Sequence, residues 1–476
     1  MNLSDVFNYP TIKQLASKIL GVEKVEYCAI WKSEKKDYHS LSSAQVSMFT
    51  NQIFNPKSTA YNVSQYFWID KSITPGIIEK TLNEIVQMHD NLRAFFILHN
   101  HKPVQRINDK VVVDLHCIDA KDKDVNNLIN DLKIPYDLKK APLFKAYYFY
   151  TSEEKNFILF DFHHIIVDGR SMQILKDMFF SSLENLQVKN KGPKLQYTDY
   201  INWHHIFKNS DSYNKMKRYW LDELSNNIEK LSLPYDFEGP SVDPMLYNGG
   251  TLYYLLDKSL SDKISNAIIK FKITPFVYFL TIYNILLHKI CNQDIIKIGT
   301  ATANREHADL DEIIGMFVNM VIHKNDINQN QSFKQLLDKI KENSVQVIQN
   351  QSFPYEELTA LLVKKREGPK DPLINASFMY NDLDYHLSDK YDSGNVDFTS
   401  EILQDSKYDL SFNVAETKDG YHFQIDYDKG MFLKQTIEDI MTCCMEITNL
   451  TIANPDIKLK DILLSKVFYS YRGEHV

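Results

Sequence analysis

The chain has 476 residues, of which 44% are hydrophobic and 24% are charged, and its formal net charge is −8. These values exclude a disordered chain, and the lack of concentrated positive charge argues against nucleic acid as a main partner. Glycine is scarce, with 14 residues, and neither a GxGxxG nor a Walker pattern occurs, which disfavours nucleotide binding. The 5 cysteines are scattered without a CxxC pair, which favours reduced thiols in a cytoplasmic protein.

The first half of the chain alternates between helical and strand patterns. A helix is predicted over Thr11–Leu20, after Pro10 and before Gly21, and a charged stretch at 22–37 is predicted to be a linker. Strands are predicted at Val63–Ile69, Arg93–Leu98 and Phe157–His163, and helices at Pro75–Asn91 and Arg170–Leu186.

The second half repeats this mixture. The apolar run Pro275–Ile290 is too short and too polar to span a bilayer, so a buried core helix is predicted there and no membrane partner. No basic, apolar leader opens the chain, which argues against a secretory signal. Interleaved helices and strands in both halves predict an α/β or α+β fold. The predicted strands are Gly249–Asp257, Ile295–Thr300 and Phe423–Tyr427, and the predicted helices are Ser259–Lys272, Pro275–Cys291, Ser332–Ile348 and Leu433–Asn449.

The most informative segment is Phe162–Ser171, FHHIIVDGRS, which contains an HHxxxDG pattern. From average composition, a chance match in a chain of this length is on the order of one in a thousand. Side chains alternate along a strand, so one histidine can face a substrate channel while the other packs inward. A histidine titrates near neutral pH and can take a proton from an attacking amine. The pattern therefore makes His163, His164, Asp168 and Gly169 candidate site residues.

The histidines admit two other interpretations. A histidine on a strand is often a structural residue with satisfied hydrogen bonds. A metal site is disfavoured, because adjacent histidines on opposite faces do not readily bind one ion and no third ligand follows at helical or hairpin spacing. A second pair, His204–His205, lacks the Asp-Gly and is interpreted as helix surface or interface without chemistry.

With this motif, the chain resembles the condensation domains of nonribosomal peptide synthetases, from Tyr38 to about Leu464. The resemblance implies a mixed α/β fold of two chloramphenicol acetyltransferase-like lobes in a V-shaped pseudo-dimer. Met88 and Asp90 stand where Arg and Glu are usual, and Met320 replaces a common Thr. Six further segments carry the resemblance, in the family's order: Leu41–Phe49 (LSSAQVSMF), Met88–Phe96 (MHDNLRAFF), Tyr197–Trp203 (YTDYINW), Ile314–Asn319 (IGMFVN), Asn350–Glu356 (NQSFPYE) and Pro372–Asp382 (PLINASFMYND).

The resemblance also implies roles for the histidines and their neighbours. His164 is similar to the catalytic histidine that deprotonates or orients the acceptor amine, whereas His163 looks structural. Asp168 is similar to an aspartate that forms a salt bridge; Arg305 is the preferred partner and Arg93 the alternative. We expect the Gly169 amide to border the reacting carbonyl, where it could stabilise an oxyanion.

Two polar residues are expected to line the substrate channel. These are Ser171, in the HHxxxDG segment, and Asn319, in IGMFVN; a turn-capping role for Asn319 is equally favoured.

The implied reaction joins a donor acyl thioester to an acceptor amine. It requires no metal and no directly bound cofactor. Both substrates arrive on the 4'-phosphopantetheine arms of carrier proteins, and an adenylation domain is a further partner. The protein is expected to be a monomer or part of a multidomain assembly, and to prefer an L-configured donor. The alternatives are an epimerization domain, a catalytically silent carrier-docking relative and a free CoA-dependent acyltransferase.

The resemblance also suggests a division of the chain. Residues 1–21 are expected to be the C-terminal helix of a truncated carrier domain, followed by the linker 22–37. The N-terminal lobe is expected at 38–205 and the C-terminal lobe at 206–470. Neither Ser4 nor Ser17 resembles a phosphopantetheine attachment serine, so both substrates are expected on separate carriers.

Overall fold

The computed structural model describes residues 11–21, 29–121, 123, 125–152, 154–185, 192–226, 228–237, 249–364, 370–382, 408–417 and 420–468. Residues 1–10 of the predicted carrier segment and 22–28 of the predicted linker lie outside the described residues. The helices, in chain order, are α1 (Ile12–Gly21), α2 (Ser43–Phe54), α3 (Pro75–Met88), α4 (Val125–Leu132), α5 (Gly169–Asn185), α6 (Tyr197–Phe207), α7 (Asp211–Leu224), α8 (Lys258–Phe271), α9 (Pro275–Cys291), α10 (Phe333–Gln349), α11 (Tyr355–Leu362) and α12 (Lys434–Ala453).

The described strands form separate sheets in the two halves of the chain. A four-stranded sheet has the order β1-β6-β5-β4, a six-stranded sheet has the order β7-β12-β11-β10-β8-β9, and β2 pairs with β3. The strands are β1 (Asn62–Asp70), β2 (Ala94–His99), β3 (Lys102–Ile107), β4 (Leu115–Asp119), β5 (Phe144–Tyr150), β6 (Lys155–His163), β7 (Gly249–Leu255), β8 (Ile295–Thr302), β9 (Asn319–Asp326), β10 (Ala376–Asp382), β11 (Leu410–Thr417) and β12 (Gly420–Asp428).

Strand β6 lies inside the four-stranded sheet and is buried on both faces. Ile158, Phe160 and Phe162 face the core that α3 and α5 cover. Phe157 and Leu159 point to the other face, into a smaller apolar cluster. This alternation follows from the two-residue period of a strand. It explains why β6 is mostly apolar on both faces up to its end at His163.

The six-stranded sheet packs on α9, whose side chains are almost all buried. Ile298 of β8, Phe378 of β10 and Phe412 of β11 join α9 in one apolar cluster. The predicted core helix at this position is therefore observed. Among the described residues, no single helix has the length and apolar character to cross a membrane, and the helix pair α8–α9, which meets both criteria together, is bent by 107°.

One segment of the second half of the chain packs against the first half. Leu310, Ile313 and Phe317 are buried in the apolar core of the four-stranded sheet rather than in that of the six-stranded sheet. This segment follows β8 and leads into β9. It brings residues near 305 and 315 to the end of β6, where the motif lies.

His323 on β9 is a buried histidine that makes the stability of the fold depend on pH. It is fully buried against the ring of Phe276, 5.6 Å between centroids, and neither ring nitrogen has a hydrogen-bond partner. Burial lowers its pKa from 6.5 to about 4. Between these values the unfolded chain binds a proton that the folded chain does not, so stability is complete above pH 6.5 and decreases as the pH falls towards 4.

We expect His323→Phe to remove up to one proton from the pH dependence of the free energy of unfolding. The measurement is urea denaturation at pH 7 and pH 5, compared with wild type. His101→Asn is the control, because His101 is exposed in the folded protein. Equal pH dependence of wild type and His323→Phe would contradict the prediction.

Candidate active site

Strand β6 ends at His163, and the two histidines differ in their exposure. His163 is buried, with 1% of its surface exposed, whereas His164 is only partly buried. The backbone N–H of His163 donates to Leu143 O, and that of His164 donates to Tyr61 O. The sheet therefore holds both residues from neighbouring segments and gives them different surroundings.

His163 is packed in a closed environment. The backbone N–H of Ile165 donates to its Nδ1 at 3.1 Å, and its Nε2 lies 3.5 Å from Gln52 Oε1. The rings of Tyr61 and Tyr136 lie next to the imidazole, and their centroids are 5.9 and 6.0 Å from the centroid of the His163 ring. Burial, with a smaller contribution from the adjacent His164, lowers the pKa of His163 to about 3. His163 is therefore neutral near pH 7 and suited to a structural role.

His164 has a defined hydrogen-bonded geometry. Its Nδ1 lies 2.7 Å from the backbone carbonyl oxygen of Val167. A carbonyl oxygen can only accept a hydrogen bond, so in the neutral ring Nδ1 carries the proton and Nε2 carries the lone pair. This tautomer is the one in which Nε2 can act as a general base.

Asp168 forms a buried ion pair with Arg305. Arg305 Nη2 lies 3.1 Å from Oδ1 and 3.4 Å from Oδ2, and the two side chains are 4% and 0% exposed. The backbone N–H groups of Ser171 and Phe317 also donate to the carboxylate, at 2.7 and 3.0 Å. The Ser171 contact caps the first turn of α5. The carboxylate is thus compensated by one cation and two amides.

Arg305 also contacts several residues in the second half of the chain. Its Nη1 donates to the carbonyl oxygens of Leu310 and Ile313, and its guanidinium lies 4.0 Å from the centroid of the Phe317 ring. The alternative partner, Arg93, is instead paired with Asp90. The expectation that Arg93 could pair with Asp168 is therefore wrong, because its guanidinium is held by Asp90 and by the carbonyl oxygens of Asn108 and Asp109.

Ser171 was expected to line the channel, and the structure places it elsewhere. Its side chain is fully buried. Its Oγ donates to Gly315 O at 2.8 Å and accepts from Gly315 N at 3.0 Å and from Arg305 Nη2 at 2.9 Å. The hydroxyl is fully used in joining α5 to the segment before β9, so we correct the channel-lining assignment.

The Asn319 side chain is buried and bonded to backbone groups. Its Nδ2 donates to Gln351 O and Phe353 O at 2.6 and 2.7 Å, and its Oδ1 accepts from Tyr355 N at 2.9 Å. These are turn-capping contacts to the segment that leads into α11. These contacts favour the turn-capping interpretation of Asn319.

Gly169 begins α5 and is exposed. The backbone hydrogen bond from Met172 N to Asp168 O, 2.9 Å long, is the first hydrogen bond of this helix. The N–H of Gly169 precedes it and has no acceptor within the helix. Together with the positive end of the helix dipole, this amide is suited to stabilising negative charge.

Gly315 was not singled out from the sequence, although it lies in the IGMFVN segment. A Cβ added at Gly315 would lie 2.1 Å from Cδ2 of Tyr197. The Tyr197 ring is 1% exposed, and its hydroxyl contacts Met316 O and Ser42 Oγ. Only glycine allows this close approach. Gly315 therefore sets the distance between α6 and the segment before β9, which bonds to Ser171.

We expect Gly315→Ala to lower the free energy of unfolding by about 1–3 kcal/mol, as overpacking of a closed core does. Gly76→Ala is the matched control, because a Cβ at Gly76 meets nothing within 4 Å and alanine favours a helix over glycine. Urea denaturation measures both variants. Equal stability of Gly315→Ala and wild type would show that the Tyr197 ring moves aside without cost.

In the described ranges, no three His, Cys, Asp or Glu side chains lie close enough together to hold a metal ion.

Comparison with known proteins identifies the family. The condensation-domain family model matches residues 35–468. Gramicidin S synthase 2 of Aneurinibacillus migulanus is 30% identical over 477 aligned positions, which cover 99% of this chain and 11% of that protein. The chain thus spans about a tenth of the length of this relative.

Solved structures share the fold at low sequence identity. A four-domain nonribosomal peptide synthetase bound to AMP and glycine gives a TM-score of 0.79 at 21% identity, covering 92% of this chain and 35% of that one. The X-domain from teicoplanin biosynthesis, solved in complex with OxyB, gives 0.79 at 17% identity, covering 93% and 100%.

The chain belongs to the condensation-domain family of nonribosomal peptide synthetases. Its mixed α/β fold matches the solved condensation domains, which is the fold class expected from the sequence.

Proposed function

We propose that this chain forms an amide bond between a donor acyl or peptidyl thioester and an acceptor amine, each on the phosphopantetheine arm of a carrier protein. The observation that carries the proposal is the hydrogen bond from His164 Nδ1 to Val167 O. It leaves the Nε2 lone pair as the basic site of a partly exposed imidazole. His163, which is buried and neutral, is not suited to this task.

The proposed reaction proceeds by addition to the thioester carbonyl and then loss of the thiolate. The acceptor nitrogen attacks the thioester carbonyl, a C–N bond forms, and the carbonyl oxygen becomes an oxyanion that the Gly169 N–H stabilises. His164 Nε2 orients the amine for attack and takes the proton from the nitrogen as the C–N bond forms. Collapse breaks the C–S bond, and the departing thiolate recovers a proton from the imidazolium. Because the donor is already activated, positioning of the two arms supplies most of the rate enhancement.

In this proposal Asp168 does no chemistry. Its carboxylate is occupied by Arg305 and two backbone amides. It holds the first turn of α5, and therefore Gly169, in place relative to His164. No metal and no directly bound cofactor takes part.

We propose that donor and acceptor carriers and an adenylation domain are the partners, and that the chain works in a larger assembly. Its coverage of 11% of gramicidin S synthase 2 supports this. The four described cysteines, Cys117, Cys291, Cys443 and Cys444, are free thiols, which supports a cytoplasmic location.

We propose that 1–21, of which only 11–21 are described, are the C-terminal part of a carrier domain and that 22–37 are a linker. In the same proposal, 38–205 and 206–470 are the lobes of a V-shaped pseudo-dimer. The separate four-stranded and six-stranded sheets support two lobes. The packing of Leu310 and Ile313 in the first core supports a segment that crosses between them.

The main alternatives are an epimerization-type relative and a catalytically silent docking relative. A structural relative solved in complex with OxyB illustrates that this fold also binds other proteins. The ordered HHxxxDG turn favours catalysis. We further propose an L-configured donor, on the resemblance of the SSAQVSMF and HHIIVDGRS segments to members of that type.

The test uses loaded donor and acceptor carriers in deuterated water, with the donor residue supplied in the L or the D configuration. We expect an amide product on the acceptor carrier, faster from the L donor, without deuterium at the donor α-carbon. Deuterium at that carbon without amide formation would identify an epimerization domain. Faster reaction of the D donor would overturn the proposed donor configuration.

A further inference from the structure

The turn between His164 and Asp168 is held by side chains from distant segments. Ile165, Ile166 and Val167 are fully buried, so each of their carbonyl oxygens requires a donor. Gln45 Nε2 donates to Ile165 O at 3.1 Å, and Asn91 Nδ2 donates to Ile166 O at 2.6 Å. The third carbonyl, Val167 O, is the one that His164 Nδ1 contacts.

Gln45 is fixed in a single orientation. It is fully buried, and its Oε1 accepts from the backbone N–H of Ser42 at 3.2 Å in the capping box of α2. Reversing the amide would set its NH2 group against the Ser42 N–H and its oxygen against Ile165 O. The capping box therefore determines that the donor end of Gln45 faces the turn.

Asn91 is held by the short 3-10 turn Asp90–Arg93, and its side chain is 2% exposed. Arg93 Nη2 pairs with Asp90, and Arg93 Nε donates to Val86 O at 3.2 Å. These contacts hold the 3-10 turn against the C-terminal end of α3. Arg93, which does not reach Asp168, thus anchors the segment that carries Asn91.

We propose that Gln45 and Asn91 are positioning residues for His164, acting through the Ile165–Val167 turn. The three carbonyls belong to consecutive residues, so a shift of the first two also displaces Val167 O. A buried carbonyl oxygen without a hydrogen-bond donor is unfavourable. Loss of either side-chain amide therefore favours a rearrangement of the turn that gives this oxygen another donor. His164 then loses the acceptor that selects the proton on Nδ1, and Nε2 is no longer reliably the basic nitrogen.

The test measures the His164 tautomer directly by ¹⁵N NMR of protein labelled at histidine. The chain has 15 histidines, and the His164 signals are assigned as those missing from His164→Ala. Wild type is expected to show the Nδ1-protonated tautomer. Gln45→Met and Asn91→Leu are expected to show a mixture of tautomers, with turnover lowered at least about tenfold, since a wrong tautomer disables a general base.

Two further variants separate positioning from general stability. Asn284 is also fully buried and donates to a backbone carbonyl, Leu280 O, at 2.7 Å within α9. Asn284→Leu is therefore the matched control, and its His164 signals should equal those of wild type. In Gln45→Glu, burial favours a protonated carboxyl, which donates and accepts as the amide does; this variant should retain the wild-type tautomer.

The inference rests on the proposed function only for the turnover measurement, and the NMR measurement needs no substrate. If wild type formed no amide but showed the expected tautomers in all variants, the proposed function alone would fail. Wild-type His164 signals in both Gln45→Met and Asn91→Leu, or protonation at Nε2 in wild type, would overturn the positioning roles.

Discussion

His164→Ala is expected to lower the rate of amide formation by about 10²–10⁴-fold, the range that one positioned general base supplies. The variant should remain folded, because His164 is only partly buried and its ring contacts the adjacent turn. The measurement is the initial rate of product formation on the acceptor carrier, with both carriers fully loaded. Thermal unfolding of the same sample shows whether the protein is intact.

His163→Ala is the matched control one residue away. It removes a buried ring that accepts from Ile165 N and contacts Tyr61 and Tyr136. We expect a lower melting temperature as its main effect, with a smaller loss of turnover in the folded fraction than His164→Ala causes. Full product yield from His164→Ala would show that this imidazole does not take part in the reaction.

Arg305→Ala is expected to lower the free energy of unfolding by about 3–5 kcal/mol, because it leaves the Asp168 carboxylate buried without its cation. The same substitution removes the donor to Leu310 O and Ile313 O. Asp168→Ala should have a similar effect, since it leaves the Arg305 guanidinium buried without its anion. Urea denaturation at neutral pH gives the free energy for each variant.

The control for this ion pair is Lys35–Asp109, whose side chains are 84% and 87% exposed. Asp109→Asn is expected to leave the unfolding transition where it is in wild type, because solvent screens an exposed pair. If Asp168→Ala lost activity while keeping wild-type stability, a direct catalytic role would replace the structural role assigned to Asp168.

Much of the local structure was predictable where one pattern dominates. The apolar run before the histidines is β6 (Lys155–His163), and the core helix α9 has the predicted bounds, Pro275–Cys291. Strands β4 (Leu115–Asp119) and β11 (Leu410–Thr417) were not predicted. Strand β4 is an edge strand that pairs in parallel with β5, and β11 lies between β10 and β12; both depend on partners that no local periodicity reveals.

The same limit applies to the candidate site. Asp168 and Arg305 are 137 residues apart, and their pairing was expected only through the resemblance to a family. Ser171 and Asn319 bond mainly to backbone groups, which look alike at every position in a sequence. Their burial and their partners are therefore visible only in the structure.

The most direct test of the proposed reaction is a single turnover followed by intact mass spectrometry of both carriers. The wild-type chain is mixed with a loaded donor carrier and a loaded acceptor carrier. We expect the acceptor carrier to gain the mass of the donor acyl group, in equal amount to the free thiol that appears on the donor carrier. Release of the donor as a free acid, with the acceptor carrier unchanged in mass, would contradict amide formation by this chain.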